Sequence, residues 1–435
     1  MKIEKIDLSR VEGEAKLQLS WKDGRIEDAK INIPSTRGIE RVLLYRPYMD
    51  ALVITPRVCG ICGHAHLIAC AEAIEDALGV EPTEKAKTIR RITQSLEMLQ
   101  NHIKWFYLFL MPDFTLIEEK IKELYEPFRG VRWREAVYAS SRVAKGIALF
   151  SGQWPHSSYA IPGGITSEPS YKDLVNLKQI LLELKRFFLE HTVGIKEEDF
   201  VSWVNGGEWK SVRGDLGIFL ELSEREGLQV SGRSYDRLMS GGSFYGPYGY
   251  YNNRLTHGRI KLDYLEELPP AEYSDAKPVR YRGSPFETGP LSRQLLAGNN
   301  LVKAMHRDLR DSFVVRVFAR VLEIWELIRS LEVHTKKLIE LLDQRSSSLK
   351  RLPQKVKGAG HSFVEAARGT LLHKIVIEDG LIKEYSIITP SQWNLGPRCK
   401  AYYGVAEKAI IGLRSKLHAQ LVLRSFDVCS VCTTH

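Results

Sequence analysis

Four of the six cysteines stand in two Cys-x-x-Cys pairs, Cys59/Cys62 and Cys429/Cys432, one near each end of the chain. A turn of that kind aims two thiolates at one point, a donor set suited to a soft metal. A structural zinc would close its shell with four such ligands. Zinc ribbons place their two halves roughly 15–20 residues apart, whereas Cys59 and Cys429 are 370 positions apart. A redox dithiol needs one pair, and two pairs, each with a His close by, exceed that requirement. Spacing alone leaves zinc open.

The flanking residues carry more. The first segment reads Arg57-Val58-Cys59-Gly60-Ile61-Cys62-Gly63-His64-Ala65-His66, and the second Asp427-Val428-Cys429-Ser430-Val431-Cys432-Thr433-Thr434-His435. Together they resemble the two signature motifs of the large, catalytic subunit of nickel–iron hydrogenases, Arg-x-Cys-Gly-x-Cys-x-x-x-His and Asp-Pro-Cys-x-x-Cys-x-x-His. Five more segments match that family in order. They are Arg10-Val11-Glu12-Gly13, Arg37-Gly38-Ile39-Glu40, Thr288-Gly289-Pro290-Leu291-Ser292-Arg293, Glu365-Ala366-Ala367-Arg368-Gly369 and Pro390-Ser391-Gln392-Trp393-Asn394. Val428 and Ala367 stand where the family usually has Pro, and Glu14 where it often has His; none removes a ligand, and the subgroup stays open. The related quinone-binding subunit of respiratory complex I shares the fold without the four cysteines, so their presence argues against it.

The resemblance implies a role for each residue. Cys59 and Cys429 would be terminal on nickel. Cys62 and Cys432 would bridge to an iron carrying carbonyl and cyanide ligands. Heterolysis of dihydrogen needs a metal and a nearby base for the proton, and the Cys429 thiolate would be that base. Glu12 would pass the proton onward through an otherwise apolar core. His66 would hydrogen-bond the bridging Cys432. Arg368 would set a permanent charge beside the cluster and its cyanide, with Ser391 as a second donor. Asp113 would orient that Arg, and Asp427 would be a further nearby acid. Glu40, the Ile387 carbonyl and the His435 imidazole would hold magnesium, or iron, at a second site. The family's precursor carries an extension that a maturation protease removes after nickel-insertion proteins have acted; a chain stopping at His435 is what a matured subunit would show. Cys70 and Cys399 are too few for another cluster, so electrons would leave through an iron–sulfur small subunit. The implied activity is reversible cleavage of dihydrogen, and the alternative is a dihydrogen-sensing subunit with the same site and little turnover.

The elements that must position these residues read as α+β: one large unit, with a long-helix bundle between two β regions. Residues 2–33 alternate as a meander turned at Lys22-Asp23-Gly24. Apolar residues recurring in steps of three and four predict helices over 83–110, 131–150, 174–191 and 313–342, within a helical core of about 66–345. The stretch 202–286, rich in Gly, Tyr and Pro, reads as irregular. A C-terminal region of about 360–435 holds strands 371–378 and 381–388 about an Asp379-Gly380 turn, then a last helix over 403–425.

Composition sets the outer bounds. The 435 residues are 44% hydrophobic and 26% charged, which excludes a disordered or low-complexity chain. The net charge of +9 is spread among interleaved acids and bases, without a basic stripe or a nucleic-acid-binding motif. No apolar run nears the roughly 18 residues of a membrane span, and residues 1–10 hold no hydrophobic export signal. The short N-terminus and the Ala366-Ala367-Arg368 variant lean toward a soluble, cytoplasmic uptake-type or sensory-like member, although the family it resembles also includes members exported or membrane-associated through the small subunit.

Overall fold

The computed structural model describes residues 2–34, 36–206, 208–242, 249–252 and 260–433, with residues 249–252 as backbone only. The N-terminal alternation becomes a three-stranded antiparallel sheet of β1 (Lys2–Asp7), β2 (Lys16–Lys22) and β3 (Arg25–Asn32). Asp23 and Gly24 both take positive φ, as a two-residue hairpin turn demands. Leu17, Leu19, Ile26, Ala29 and Ile31 face inward and are buried.

The helical core follows the apolar periodicity. α1 (Gly63–Leu78) ends at the left-handed Gly79. α2 (Glu84–Lys104) is capped by the Thr83 side chain and widens into a π-turn over Trp105–Leu110. α3 (Val131–Ser151) packs on it, and so does the long α6 (Phe313–Leu341). α4 (Tyr171–Phe187) lies against α3 and α6. The second sheet is antiparallel, in the order β4 (Gly358–Ala366), β5 (Gly369–Glu378) and β6 (Leu381–Ile388), with α1 packed on β4 and β5. One apolar cluster runs from Ile6 to Cys432, joining both β regions to the helices.

Two expectations need correction. The stretch read as irregular contains a regular helix, α5 (Gly214–Arg225), which buries Leu216, Phe219 and Leu220. The last helix is two: α8 (Val405–Ile410) and α9 (Lys416–Ser425), after the short α7 (Pro390–Leu395). Between α8 and α9, Gly412 takes φ 91° and its N–H donates to the Ile26 carbonyl at 2.8 Å, while Ile26 N–H donates to Leu413. Backbone pairing with β3 replaces one helical turn, which is where a glycine of positive φ is needed.

Candidate metal centre

Local structure delivers both cysteine pairs to one point. The first pair lies in the loop before α1, with Cys62 as that helix's cap residue. The second lies at the short α10 (Ser430–Thr433), which follows the end of α9. Arg37 joins the two: its guanidinium donates to the Val58 carbonyl and, at 2.9 Å, to the Val431 carbonyl. Thr389 Oγ1 donates to the Cys432 carbonyl at 2.6 Å and so ties α7 to the second pair.

Across this junction Cys59 Sγ lies 3.7 Å from Cys429 Sγ, and Cys62 Sγ 3.4 Å from Cys432 Sγ. The sulfurs of Cys59, Cys62 and Cys432 all fall within 4.8 Å of one another. All four cysteines are at most 5% exposed. Burial pushes the Cys429 thiol well above its ordinary value. At Cys59 burial acts the same way, but hydrogen bonds from the other three thiols and the charge of Arg368 outweigh it and hold the group well below. Four thiolates in so dry a site need a multivalent soft cation. The donor set fits nickel and iron.

Arg368 sits at the turn between β4 and β5 and is 2% exposed. Its Nε donates to the Asp427 carbonyl at 3.0 Å and lies 3.3 Å from Asp427 Oδ2, but its Nη1 has no hydrogen-bond partner among the described residues. The buried Ser391 Oγ, on the first turn of α7, lacks one too. Two orphaned donors near the thiols are a cost unless an acceptor occupies the site, as ligands on a metal would. Asp427, at φ 57°, also receives Arg320 Nη1 at 3.0 Å.

Glu12 lies beside the second pair through its backbone. It bridges Cys429, and its carbonyl accepts from Ser430 N–H at 2.9 Å. Gly13 makes this approach possible, because it takes φ 82° and a Cβ there would meet Ser430 Oγ at 2.2 Å. The Glu12 side chain is half-buried. Burial and the nearby Cys59 raise its pKa, while Arg368, Arg37 and Lys104 oppose them. The surroundings expected to be apolar therefore hold three cations.

Asp113 is the clearest departure from expectation. It does not orient Arg368. Its Oδ2 accepts from Arg424 Nε at 2.5 Å and its Oδ1 from Arg10, while Arg424 also donates to the Ser9 and Arg10 carbonyls. Asp113 thus anchors the segment leading into Glu12, and Asp427 takes the place beside Arg368. His66 is buried on the first turn of α1, with Nδ1 3.0 Å from His373 Nε2. Glu40 Oε1 accepts from the Ile387 N–H at 2.7 Å, so those two expected ligands adjoin, and His435 lies outside the described residues.

Sequence reasoning missed the ionic frame behind Asp427. Arg320 also reaches Asn101 Oδ1 and His102 Nδ1. Glu323 accepts from Arg293, which in turn donates to Glu365 at 2.8 Å. Glu97, its carboxyl pushed up to about 7 by burial, accepts the N–H groups of His64 and Ala65 in the first turn of α1. A readable signal existed: Arg316, Arg320 and Glu323 interrupt the apolar face of α6 at helical spacing, where a charge must find a buried partner.

Comparison with known proteins agrees with this geometry. A family profile described as nickel-dependent hydrogenase matches residues 37–123 and 240–435, which include both cysteine pairs. The chain is 26% identical to the periplasmic NiFeSe hydrogenase large subunit of Desulfomicrobium baculatum, over 98% of this chain and 93% of that one. It is equally similar, at 26%, to the sulfhydrogenase 2 alpha subunit of Pyrococcus furiosus, over 100% and 99% of the two chains. Among solved structures, the Ni-Fe-Se hydrogenase of Desulfovibrio vulgaris Hildenborough superposes with a TM-score of 0.85 at 23% identity, covering all of both chains. The fold is shared end to end, and the matched profile spans the converging thiols together with Glu40, Arg368 and Ser391. On those grounds the chain belongs to the nickel-dependent hydrogenase family.

Proposed function

We propose that Cys59, Cys62, Cys429 and Cys432 hold one nickel and one iron, and that the chain is the catalytic subunit cleaving dihydrogen reversibly. The observation that carries this reading is the buried meeting of two Cys-x-x-Cys pairs beside the orphaned donors of Arg368 and Ser391. The sulfur pairing supports the division of roles. Cys59 faces Cys429, the two that would hold nickel alone, and Cys62 faces Cys432, the two that would be shared with iron. When bound, the nickel–iron centre supplies a redox-active Lewis acid that polarises dihydrogen.

The protein's own groups do the rest. Cys429 Sγ accepts the proton. The Glu12 carboxylate, its pKa raised by burial and Cys59, takes it onward. Asp427, itself held by Arg320, positions Arg368, whose Nη1 has no partner among the described residues and, with Ser391 Oγ, would donate to a cyanide on the iron. His66 donates to the Cys432 thiolate. Glu40, the Ile387 carbonyl and His435 bind magnesium or iron, a placement supported by the contact of Glu40 with Ile387. Electrons leave to an iron–sulfur small subunit, in keeping with relatives described as subunits of larger hydrogenases. Assembly would use a maturation protease and nickel-insertion proteins. No helix among the described residues is long and apolar enough to cross a membrane. The cytoplasmic placement is carried by the Ala366-Ala367-Arg368 variant, and one of the relatives is described as periplasmic. The relatives named above are described as hydrogenases, and nothing in the site favours a sensor with the same metals.

Metal analysis and infrared spectroscopy test the reading. One nickel and one iron per chain, with bands from iron-bound carbonyl and cyanide, are expected; zinc alone would overturn it. Replacing Arg368 by Lys should keep both metals yet lower turnover by about 10²–10³-fold, the usual effect of losing one preorganised charged donor. A flexible ammonium cannot reproduce the planar fork. Steady-state dihydrogen oxidation checks this, and a loss under about threefold would make Arg368 a packing residue.

A further inference from the structure

A buried row of side chains leads away from the sulfur cluster between α1 and the second sheet. His66, four residues after Cys62, places Nδ1 3.0 Å from Nε2 of His373 on β5. His373 Nδ1 lies 2.8 Å from the Tyr385 hydroxyl on β6. Tyr385 in turn interacts with the buried thiol of Cys70, one turn beyond His66 on α1. All four side chains are at most 7% exposed, so each hydrogen bond is made inside the protein.

A neutral imidazole has one donor nitrogen and one acceptor nitrogen. In a row of two such rings the direction of one bond therefore dictates all the others. A metal-bound thiolate at Cys432 can only accept, so His66 would carry its proton on Nε2 and leave Nδ1 bare. Bare Nδ1 must then accept from His373 Nε2–H. That leaves His373 Nδ1 bare, and it must accept from the Tyr385 O–H. Burial keeps Tyr385 protonated, holding its phenol well above the ordinary value, with the neighbouring Cys70 acting the same way. Every member has a donor matched to an acceptor, and successive bonds in such a row polarise one another.

We propose that Tyr385 and His373 form a one-way hydrogen-bond chain that locks His66 in its Nε2–H tautomer, with Tyr385 as the positioning residue on which the lock depends. The proposal rests on the reading above in which Cys432 is a metal-bound thiolate and His66 donates to it. Its consequence is electronic: a hydrogen bond held on that sulfur withdraws charge from the iron it bridges. Tyr385→Phe removes the donor to His373 without removing the ring. His373 then no longer favours Nε2–H, His66 can turn its proton toward His373, and the thiolate loses its donor.

Nitrogen NMR of the metal-loaded wild-type complex, labelled with ¹⁵N at histidine, reads the tautomers without any substitution. Both His66 and His373 should show protonated Nε2 and bare Nδ1, and an Nδ1–H on either ring overturns the chain. Infrared spectra of loaded Tyr385→Phe provide the second readout. A more electron-rich sulfur feeds the iron, so the carbonyl band should move to lower wavenumber with nickel and iron retained. An unmoved band overturns the role of Tyr385. Absence of carbonyl and cyanide bands from wild type would count against the metal-centre reading instead, whereas bands present and unmoved in the variant count against the chain alone. A Tyr385→Phe protein that fails to load metal leaves the wild-type nitrogen spectrum to decide.

Discussion

Cys429→Ser should abolish dihydrogen oxidation, a loss of at least about a thousandfold, as when a group acting as one unit with its neighbours is removed. Two deficits combine. An alkoxide is a hard donor and a poor partner for nickel, and a serine hydroxyl stays protonated at neutral pH, so it cannot take the proton. The fold should survive the change. The backbone at this position is held by Thr433 Oγ1, which donates to the Cys429 carbonyl at 2.8 Å, and by the Ser430 N–H on Glu12. Neither contact uses the sulfur. Nickel content, iron content and hydrogen-oxidation rate of the purified complex decide the matter. Wild-type activity with nickel retained would remove Cys429 from the reaction.

Glu12→Gln is the sharper experiment, because Glu12 is not expected to bind metal. Its backbone bridge to Cys429 and its carbonyl bond with Ser430 do not depend on the side chain. The amide keeps the shape and most of the hydrogen bonds but cannot carry a proton. The variant should retain nickel, iron and the infrared signature. Dihydrogen oxidation and isotope exchange with water should fall by about 10²–10⁴-fold, the span attributed to a positioned acid–base group. Burial and the nearby Cys59 raise the pKa of Glu12, which favours a carboxyl that can hold a proton in passing. A fully loaded variant exchanging at the wild-type rate would mean that protons leave by another path.

The site's donors and its ionic frame were not equally legible in the sequence. Cysteine spacing is local: a Cys-x-x-Cys turn brings its two thiols together wherever the turn is placed, so the donor set could be read from residue types. Helical periodicity is local as well, and α2, α3, α4 and α6 stand close to where their apolar stripes put them. The split between α8 and α9 was hidden because Gly412 bends toward Ile26, a residue nearly the whole chain away, and that pairing outweighs a continuous helical pattern.

Ion-pair partners were the least legible of all. Asp113 and Asp427 could each pair with Arg368 by type, and the family resemblance gave that part to Asp113, whereas the structure puts Asp427 there. The choice depends on where α9 delivers Arg424 and where the turn between β4 and β5 delivers Arg368, which is a property of packing rather than of any motif. The sequence by itself determined the metal-binding donors, the family and the long helices, because each depends on residue identity over short spans. Only the tertiary structure decided which carboxylate holds Arg368, that Arg37 clamps both cysteine loops, and that His66 continues through His373 to Tyr385. Those contacts join segments far apart in the chain, and a buried polar group satisfies its hydrogen bonds with whichever partner the packing of the core brings within reach.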